Sequence, residues 1–136
     1  MDHFSYRHRV LHCENVPVPA LAEKFGTPLY VYSKATLLRH LRELQTAFAE
    51  LKPLICYSIK TNANLHLARL MVENGAGCDV TSGGELFRAL KAGCPGDRIV
   101  FAGVGKTDQE IRTALENNVF LFNVESEGEL LAVGDV

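Results

Sequence analysis

The stretch LICYSIKTNANLHLARLMVENGAGCDV, residues 54–80, decides how this chain folds. Its apolar beginning predicts a buried strand over residues 54–59, and the segment that follows predicts a helix over 65–74 that Gly75 closes. A second apolar run, at residues 78–80, predicts another strand. Two buried strands joined by one short helix predict parallel strands with a right-handed crossover between them.

The same strand–helix unit repeats along the rest of the chain. Further strands are predicted at 98–102 and 119–124, and further helices at 85–92 and 108–118, with another helix beginning after residue 125. An open doubly wound sheet and a (β/α) barrel both fit this order, and the even repeat of short units favours the barrel. Because a (β/α)8 barrel takes roughly 250 residues, we expect an α/β fold that is the N-terminal part of such a barrel, incomplete at 136 residues.

Three of the predicted strand–helix turns carry the same helix-start signal. The signals are Ser82-x-x-Glu85, Thr107-x-x-Glu110 and Ser126-x-x-Glu129. Each fits a capping box, in which a hydroxyl and a carboxylate satisfy the free N–H groups of the first helical turn. Because the signals recur in register with the repeat, they support the predicted order of elements.

The first 32 residues differ from the repeat and predict a separate segment. They contain a short strand and turn, a short helix ended by Gly26 and Pro28, and a candidate strand over residues 29–33. A longer helix is predicted from Ala35 to Leu51, with Ser33 as its N-cap. We therefore predict two domains, residues 1–32 and residues 33–136.

Composition excludes several classes of function. The chain has 136 residues, 47% of them hydrophobic, and its 14 Lys and Arg against 16 Asp and Glu give a net charge of −2. This balance predicts no nucleic-acid footprint and no basic membrane-binding patch, and no run approaches the ~18 apolar residues of a membrane span. The four cysteines form no CxxC motif, and His8, His12 and Cys13 lack a further metal ligand. We expect a soluble cytoplasmic protein with free thiols and no metal site.

Lys60 stands at the end of the first buried strand, where a charge is costly to bury unless it is paired. If side chains alternate to the strand end, Lys60 shares a face with Cys56 and Ser58, and Asp79 ends the neighbouring strand close by. Ligands bind at the carboxyl ends of parallel strands, and a desolvated lysine is a nucleophile toward carbonyl groups. The pattern alone fits equally a solvated lysine and a surface ion pair with Asp79.

Two glycine-containing turns also invite a functional interpretation. Gly83 and Gly84 open a predicted helix, which allows either close approach of a ligand or merely a tight turn. The sequence GVGKT at 103–107 lacks the first glycine of a phosphate-binding loop, because Val100 stands in its place. The second turn is therefore expected to be a strand–helix connection with Thr107 as the N-cap.

Several motifs together resemble a known family. YSIKTNAN (57–64) resembles the Y-x-x-K-[AT]-N signature of the barrel-type pyridoxal-phosphate decarboxylases. The segments that follow the order seen in the diaminopimelate decarboxylase family are GTPLYVYS (26–33), GCDVTSGGEL (77–86), RIVFAGVGKTDQEI (98–111) and FNVESEGEL (122–130). The resemblance extends from HFSYR to about Leu130, and ornithine and arginine decarboxylases share the lysine signature but fewer of the other segments.

The resemblance implies an alanine-racemase-type barrel that binds pyridoxal 5′-phosphate, and a reaction. This reaction removes a carboxylate from meso-2,6-diaminopimelate and yields L-lysine and carbon dioxide. The resemblance also implies that Lys60 holds the cofactor as a Schiff base, that Asp79 lies near that lysine, and that residues 1–32 join a C-terminal β domain. It also implies a homodimer. The family's phosphate site, pyridine-nitrogen partner, substrate-binding arginines and intersubunit cysteine lie beyond the segments matched here, so we expect residues 1–136 alone to be inactive.

Other interpretations remain open from the sequence. The chain could belong to a related pyridoxal-phosphate barrel, either another basic amino-acid decarboxylase or an amino-acid racemase. It could be a truncated half-barrel that acts only by pairing with another chain, or its end could be an artefact of cloning or gene prediction.

Overall fold

The computed structural model describes residues 3–136, which fall into two compact units. The first unit ends at Ala47 and the second runs from Phe48 to Val136. The division into domains after residue 32 stays a prediction.

The first unit contains three short antiparallel strands and two helices. They are β1 (Phe4–Arg7), β2 (Val10–Cys13), β3 (Val16–Pro17), α1 (Val18–Phe25) and α2 (Lys34–Ala47). Pro19 lies in the first turn of α1, and Gly26, at φ 81°, closes this helix as predicted. Residues 29–33, predicted as a strand, are irregular, because an apolar run becomes a strand only where a neighbour pairs with it.

The start of α2 combines a predicted cap with an unpredicted one. Ser33 Oγ accepts a hydrogen bond from the Thr36 N–H at 3.0 Å, which confirms Ser33 as the N-cap. Glu14 Oε1 accepts from the Ala35 N–H and from Ser33 Oγ, each at 2.8 Å. These two hydrogen bonds, the backbone one foremost, lower the pKa of Glu14. The helix ends at Ala47, and a 3₁₀ turn over Ala49–Leu51 occupies the rest of its predicted length.

The second unit is the predicted alternation of strands and helices. Its elements are β4 (Cys56–Ser58), α3 (Leu65–Glu73), β5 (Gly77–Val80), α4 (Gly83–Lys91), β6 (Ile99–Phe101), α5 (Asp108–Glu116), β7 (Leu121–Phe122) and α6 (Glu127–Asp135). All strand pairs are parallel and lie in the order β4-β5-β6-β7. The α/β prediction is confirmed, although several strands are shorter than the sequence indicated.

One face of this sheet is covered by helices and holds the core. On β5 and β6 the residues of this face are Cys78, Val80, Ile99 and Phe101, and each is fully buried. The residues between them point to the opposite face, which we call the inner face of the sheet. The four buried residues pack with small and apolar helix residues, namely Ala68, Leu86, Ala89 and Ala114. Burial on one face leaves the opposite face of β4, β5 and β6 free to carry polar groups.

All three predicted helix starts in this unit have their hydroxyl caps. Ser82, Thr107 and Ser126 each accept a hydrogen bond from the N–H group three residues later. The reciprocal half of the capping box is complete only at Thr107, where Glu110 bonds back to the N-cap N–H. Among residues 3–136, no helix is long and apolar enough to cross a membrane.

Candidate functional site

The carboxyl ends of β4, β5 and β6 form the edge of the sheet on which the candidate site lies. Ser58, Asp79 and Val100 occupy the same register position on three neighbouring strands, so their side chains share one face. All three are partly buried, in contrast to the fully buried Cys78 and Ile99 on the opposite face. A polar pair, Ser58 and Asp79, therefore faces inward just below the ends of the strands.

Lys60 lies beyond β4, on a turn that we call the Lys60 turn (residues 59–64). The strand ends at Ser58, and a 3₁₀ turn over Ile59–Thr61 follows at once. The predicted strand alternation up to Lys60 is therefore wrong, because the chain turns two residues earlier. Ile59 is fully buried in the core while Lys60 is exposed, so the turn presents the amine at the carboxyl edge.

Three side chains hold backbone carbonyls of this region. The Tyr57 hydroxyl donates to the Asn62 carbonyl at 2.8 Å, and the Thr61 hydroxyl donates to the Ser58 carbonyl at 2.7 Å. Arg88, from α4, donates to the Ala63 carbonyl at 3.2 Å. The position of Lys60 is thus set by hydrogen bonds on both sides of it, which the sequence pattern did not reveal.

Asp79 is held by a neighbouring strand rather than by Lys60. Ser58 Oγ donates to Asp79 Oδ2 at 2.9 Å, across the β4–β5 pair. Within the part of the chain that the structure describes, Lys60 and Asp79 form no ion pair. The simple surface ion pair considered from the sequence is absent there, and Lys60 keeps its amine free of such a partner.

Gly83 has a packing reason to be glycine. Its N–H donates to Glu110 Oε1 at 2.6 Å, and a Cβ at Gly83 would come within 2.9 Å of Glu110 Cγ. Glu110 Oε2 meanwhile accepts from the Thr107 N–H at 3.0 Å. These backbone hydrogen bonds, that of Thr107 first, lower the pKa of Glu110. The glycine accommodates a carboxylate from the next turn, which supports the tight-turn interpretation.

Lys106 is the polar residue that sequence reasoning missed. Its side chain is 1% exposed and forms an ion pair with Glu129. Its Nζ also donates to the carbonyls of Gly103 at 2.7 Å and Asn123 at 2.9 Å, and lies 5.6 Å from the centre of the Phe101 ring. The sequence feature that could have identified Lys106 is its place directly before the N-cap Thr107, in a turn that contains two glycines.

Glu129 completes this link between the last two strand–helix turns. Its Oε2 accepts from the Glu125 N–H at 2.7 Å, while its other oxygen meets Lys106. The Lys106 hydrogen bond, followed by that backbone bond, lowers the pKa of Glu129. The GVGKT turn is therefore a braced strand–helix connection with Thr107 as N-cap, as expected, and its lysine is engaged internally rather than free for phosphate.

The strand ends supply an exposed primary amine on the Lys60 turn and an inward-facing carboxylate, Asp79, on the neighbouring strand. An amine of this kind condenses with an aldehyde or ketone, and the open inner face leaves room for the group that carries it. The residues present therefore fit the reactive end of an aldehyde cofactor. A cavity of about 820 Å³ is lined by residues of the first unit such as Glu14 and Arg42, and neither Lys60 nor Asp79 borders it.

The parallel strand order and the alternation with helices are those of the N-terminal part of a decarboxylase barrel. Residues 34–136 match the family described as "Pyridoxal-dependent decarboxylase, pyridoxal binding domain", and the chain belongs to that family. This match and the solved relatives described next confirm the predicted fold, the N-terminal portion of a decarboxylase barrel.

Several similar relatives within the family are diaminopimelate decarboxylases. The enzyme of Haemophilus influenzae is 45% identical over 136 residues, which cover 100% of this chain and 33% of that protein. The enzyme of Neisseria meningitidis serogroup A is 51% identical over 120 residues, covering 88% of this chain and 30% of that protein. The structure of the M. jannaschii enzyme with L-lysine superposes with a TM-score of 0.94 at 36% identity, covering 98% of this chain and 32% of that one. The chain thus spans about a third of the length of these relatives.

Proposed function

We propose that this protein is a lyase of lysine biosynthesis that decarboxylates meso-2,6-diaminopimelate to L-lysine and carbon dioxide with pyridoxal 5′-phosphate. The observation that carries the proposal is the exposed Lys60 amine at the carboxyl edge of a decarboxylase-family sheet. Similarity to diaminopimelate decarboxylases across nearly the whole chain supports the choice of substrate.

In this proposal Lys60 would hold the cofactor through its aldehyde carbon, at the carboxyl edge of the sheet. When bound, pyridoxal phosphate supplies a ring system that accepts the electron pair left by the departing carboxylate. Once displaced by the substrate amine, the Lys60 amine would hold or return a proton at its Nζ. Asp79, on the neighbouring strand, would provide a negative charge at the same edge of the sheet, and Ser58 keeps its carboxylate oriented.

The test measures carbon dioxide release from meso-diaminopimelate. It uses the protein purified from its own cells, at the length that those cells produce. Lys60→Ala should lower kcat/KM by on the order of 10³-fold, because the group that binds the cofactor and moves the proton is lost. Lys91→Ala is the matched control, since Lys91 is also exposed but ends α4, at the opposite edge of the sheet. An active Lys60→Ala variant, or racemisation of an amino acid without carbon dioxide release, would contradict the proposal.

The finer parts of the proposal concern the assembly and the cell. We propose a homodimer in the cytoplasm, and four cysteines without a disulfide among the described residues support a reducing compartment. We further propose that residues 1–136 alone do not turn over diaminopimelate, since they span about a third of the relatives' length. Light scattering of the purified protein and the same carbon dioxide assay on the 136-residue chain test these two points.

A further inference from the structure

We propose that Tyr57 is a positioning residue whose hydroxyl holds the Lys60 turn in the shape that presents the lysine amine to the inner face of the sheet. The hydroxyl donates to the Asn62 carbonyl at 2.8 Å, and this bond spans the three residues of the turn between Ser58 and Asn62. The inference rests on the proposed function of Lys60 as the cofactor-binding amine.

The Tyr57 side chain is a rigid support because its ring is fixed independently of the turn. Tyr57 stands in β4 at the register position of Cys78, which is fully buried, and its ring packs against the hydrophobic core. A tyrosine ring has few rotatable bonds, and a partly buried hydroxyl needs a hydrogen-bond partner. The Asn62 carbonyl is that partner, so the turn is tied to the sheet core through a stiff side chain.

The bond acts at the end of the turn that is not fixed by complete burial. Ile59, before Lys60, is anchored by complete burial, whereas Asn62, after it, is extended with φ −161° and belongs to no helix or strand. The Tyr57 hydroxyl restrains this second end. Lys60 therefore stands between a buried anchor and a hydrogen-bonded one, and both fix the direction in which its side chain leaves the backbone.

The spacing of Tyr57, Lys60 and Asn62 follows from this geometry. Residue 57 lies on the helix-covered face, so its ring can pack in the core while its hydroxyl reaches the end of the strand. The carbonyl within reach is the one two residues after the lysine. Tyrosine three residues before the lysine thus has a mechanical purpose that is separate from the chemistry of the amine.

The first test measures how often the turn opens, with trypsin as the probe and the protein cleared of bound cofactor, because trypsin cuts only after a lysine whose amine is free. Trypsin cuts after Lys60 only when the turn unfolds locally, so the cleavage rate follows the open population. Tyr57→Phe removes one oxygen and keeps the ring, and loss of one hydrogen bond should raise cleavage at the Lys60–Thr61 bond about fivefold. Cleavage after Arg112, an exposed residue on α5, is the internal reference, and Tyr30→Phe, which alters an 86% exposed tyrosine, is the matched control.

Two trypsin results would overturn the inference. One is an unchanged cleavage rate at Lys60 in Tyr57→Phe. The other is an equal acceleration at Lys60 and Arg112 with a lowered melting temperature, because Tyr57 would then support the whole unit rather than the turn.

The second test measures whether the turn directs the amine. Pyridoxal phosphate is added to the protein cleared of bound cofactor, and borohydride then traps the product. The lysine nitrogen replaces the aldehyde oxygen, which leaves as water, and a carbon–nitrogen double bond forms. Hydride from borohydride and a proton from water then reduce this double bond to a stable secondary amine. Peptide mass spectrometry gives the ratio of label at Lys60 to label at Lys91. We expect a high ratio in the wild type and a severalfold lower ratio in Tyr57→Phe, with Lys91 labelling unchanged.

The two ways to fail are distinguishable. If wild-type Lys60 is labelled no faster than Lys91, the proposed function of Lys60 is wrong, whatever trypsin shows. If wild-type labelling is selective and Tyr57→Phe keeps the same selectivity, Lys60 retains its function and the positioning role of Tyr57 is wrong.

Discussion

At the scale of single residues, backbone contacts at the carboxyl edge decide which side chains the chain tolerates. Gly83 and Gly84 are neighbours in sequence, and the motif alone treats them alike. In the structure a Cβ at Gly83 would press against Glu110, whereas a Cβ at Gly84 would meet nothing closer than Ser82 Oγ at 3.9 Å. The two glycines therefore have different reasons to be present.

Substitution of each glycine by alanine should change stability in opposite directions. Gly83→Ala should lower the free energy of unfolding by about 1 kcal/mol, because Glu110 must move and its bond to the Gly83 N–H weakens. Gly84→Ala should raise it by about 0.5 kcal/mol, since alanine restricts the unfolded chain and favours the helix. Urea unfolding of the two variants measures both. Equal effects would show that Glu110 does not constrain Gly83.

At the scale of elements, neighbouring strand–helix turns are joined to one another by charged side chains. Glu110 joins the turn before α4 to the turn before α5, and Lys106 with Glu129 joins the latter to the turn before α6. The order and type of these elements were predictable from apolar runs and N-caps. The contacts of Glu110, Lys106 and Glu129 that join the turns were not predictable, because they depend on which side chains the parallel strands bring together.

Removal of the buried ammonium should loosen two turns at once. Lys106→Met keeps the length of the side chain but leaves the Gly103 and Asn123 carbonyls without their donor. We expect the free energy of unfolding to fall by about 2 kcal/mol. Lys91→Met, on the exposed end of α4, is the control and should change it by less than about 0.5 kcal/mol. Thermal unfolding followed by circular dichroism measures both, and a Lys106→Met variant as stable as the control would contradict the bracing role.

Misjudged elements show where sequence patterns reach their limit. The strand was predicted to continue to Ile59, but it ends at Ser58, and the tight turn places Lys60 by hydrogen bonds from Tyr57 and Thr61. The lysine itself could be singled out, because a charge at the end of an apolar run is unusual. Its surroundings could not, since a serine–aspartate bond across two strands depends on register, which a single sequence does not contain.

At the scale of the whole molecule, carboxylates that bind backbone N–H groups link stability to pH. Backbone hydrogen bonds are the main cause of the lowered pKa of Glu14 in the first unit and of Glu110 in the second. The pKa of Glu129 is lowered by the hydrogen bond from Lys106 and then by one from a backbone N–H. A carboxyl group whose folded pKa lies below its unfolded value stabilises the fold above the unfolded pKa. That stabilisation is lost as the pH falls through the folded pKa.

Acid should therefore weaken both units, and neutral amides should remove part of that response. We expect constant stability above the ordinary glutamate pKa of 4.5 and a progressive loss below it. The variant with Glu14→Gln, Glu110→Gln and Glu129→Gln should be less stable at pH 7 and should lose less stability on acidification. Urea midpoints from pH 7 down to pH 3 measure this difference. Parallel curves for the variant and the wild type would refute the assignment.

The hydrogen bond and close contact between Gly83 and Glu110 also affect how such chains can diversify by exchange of segments. A repeat of similar units invites recombination, and breakpoints that leave each strand–helix unit whole would look harmless. A breakpoint between these two residues would instead combine a glycine selected for one carboxylate with a neighbour that lacks it, or a carboxylate with an alanine in its path. Gly83 and Glu110 should therefore be inherited together, and viable chimaeras should keep both from one parent.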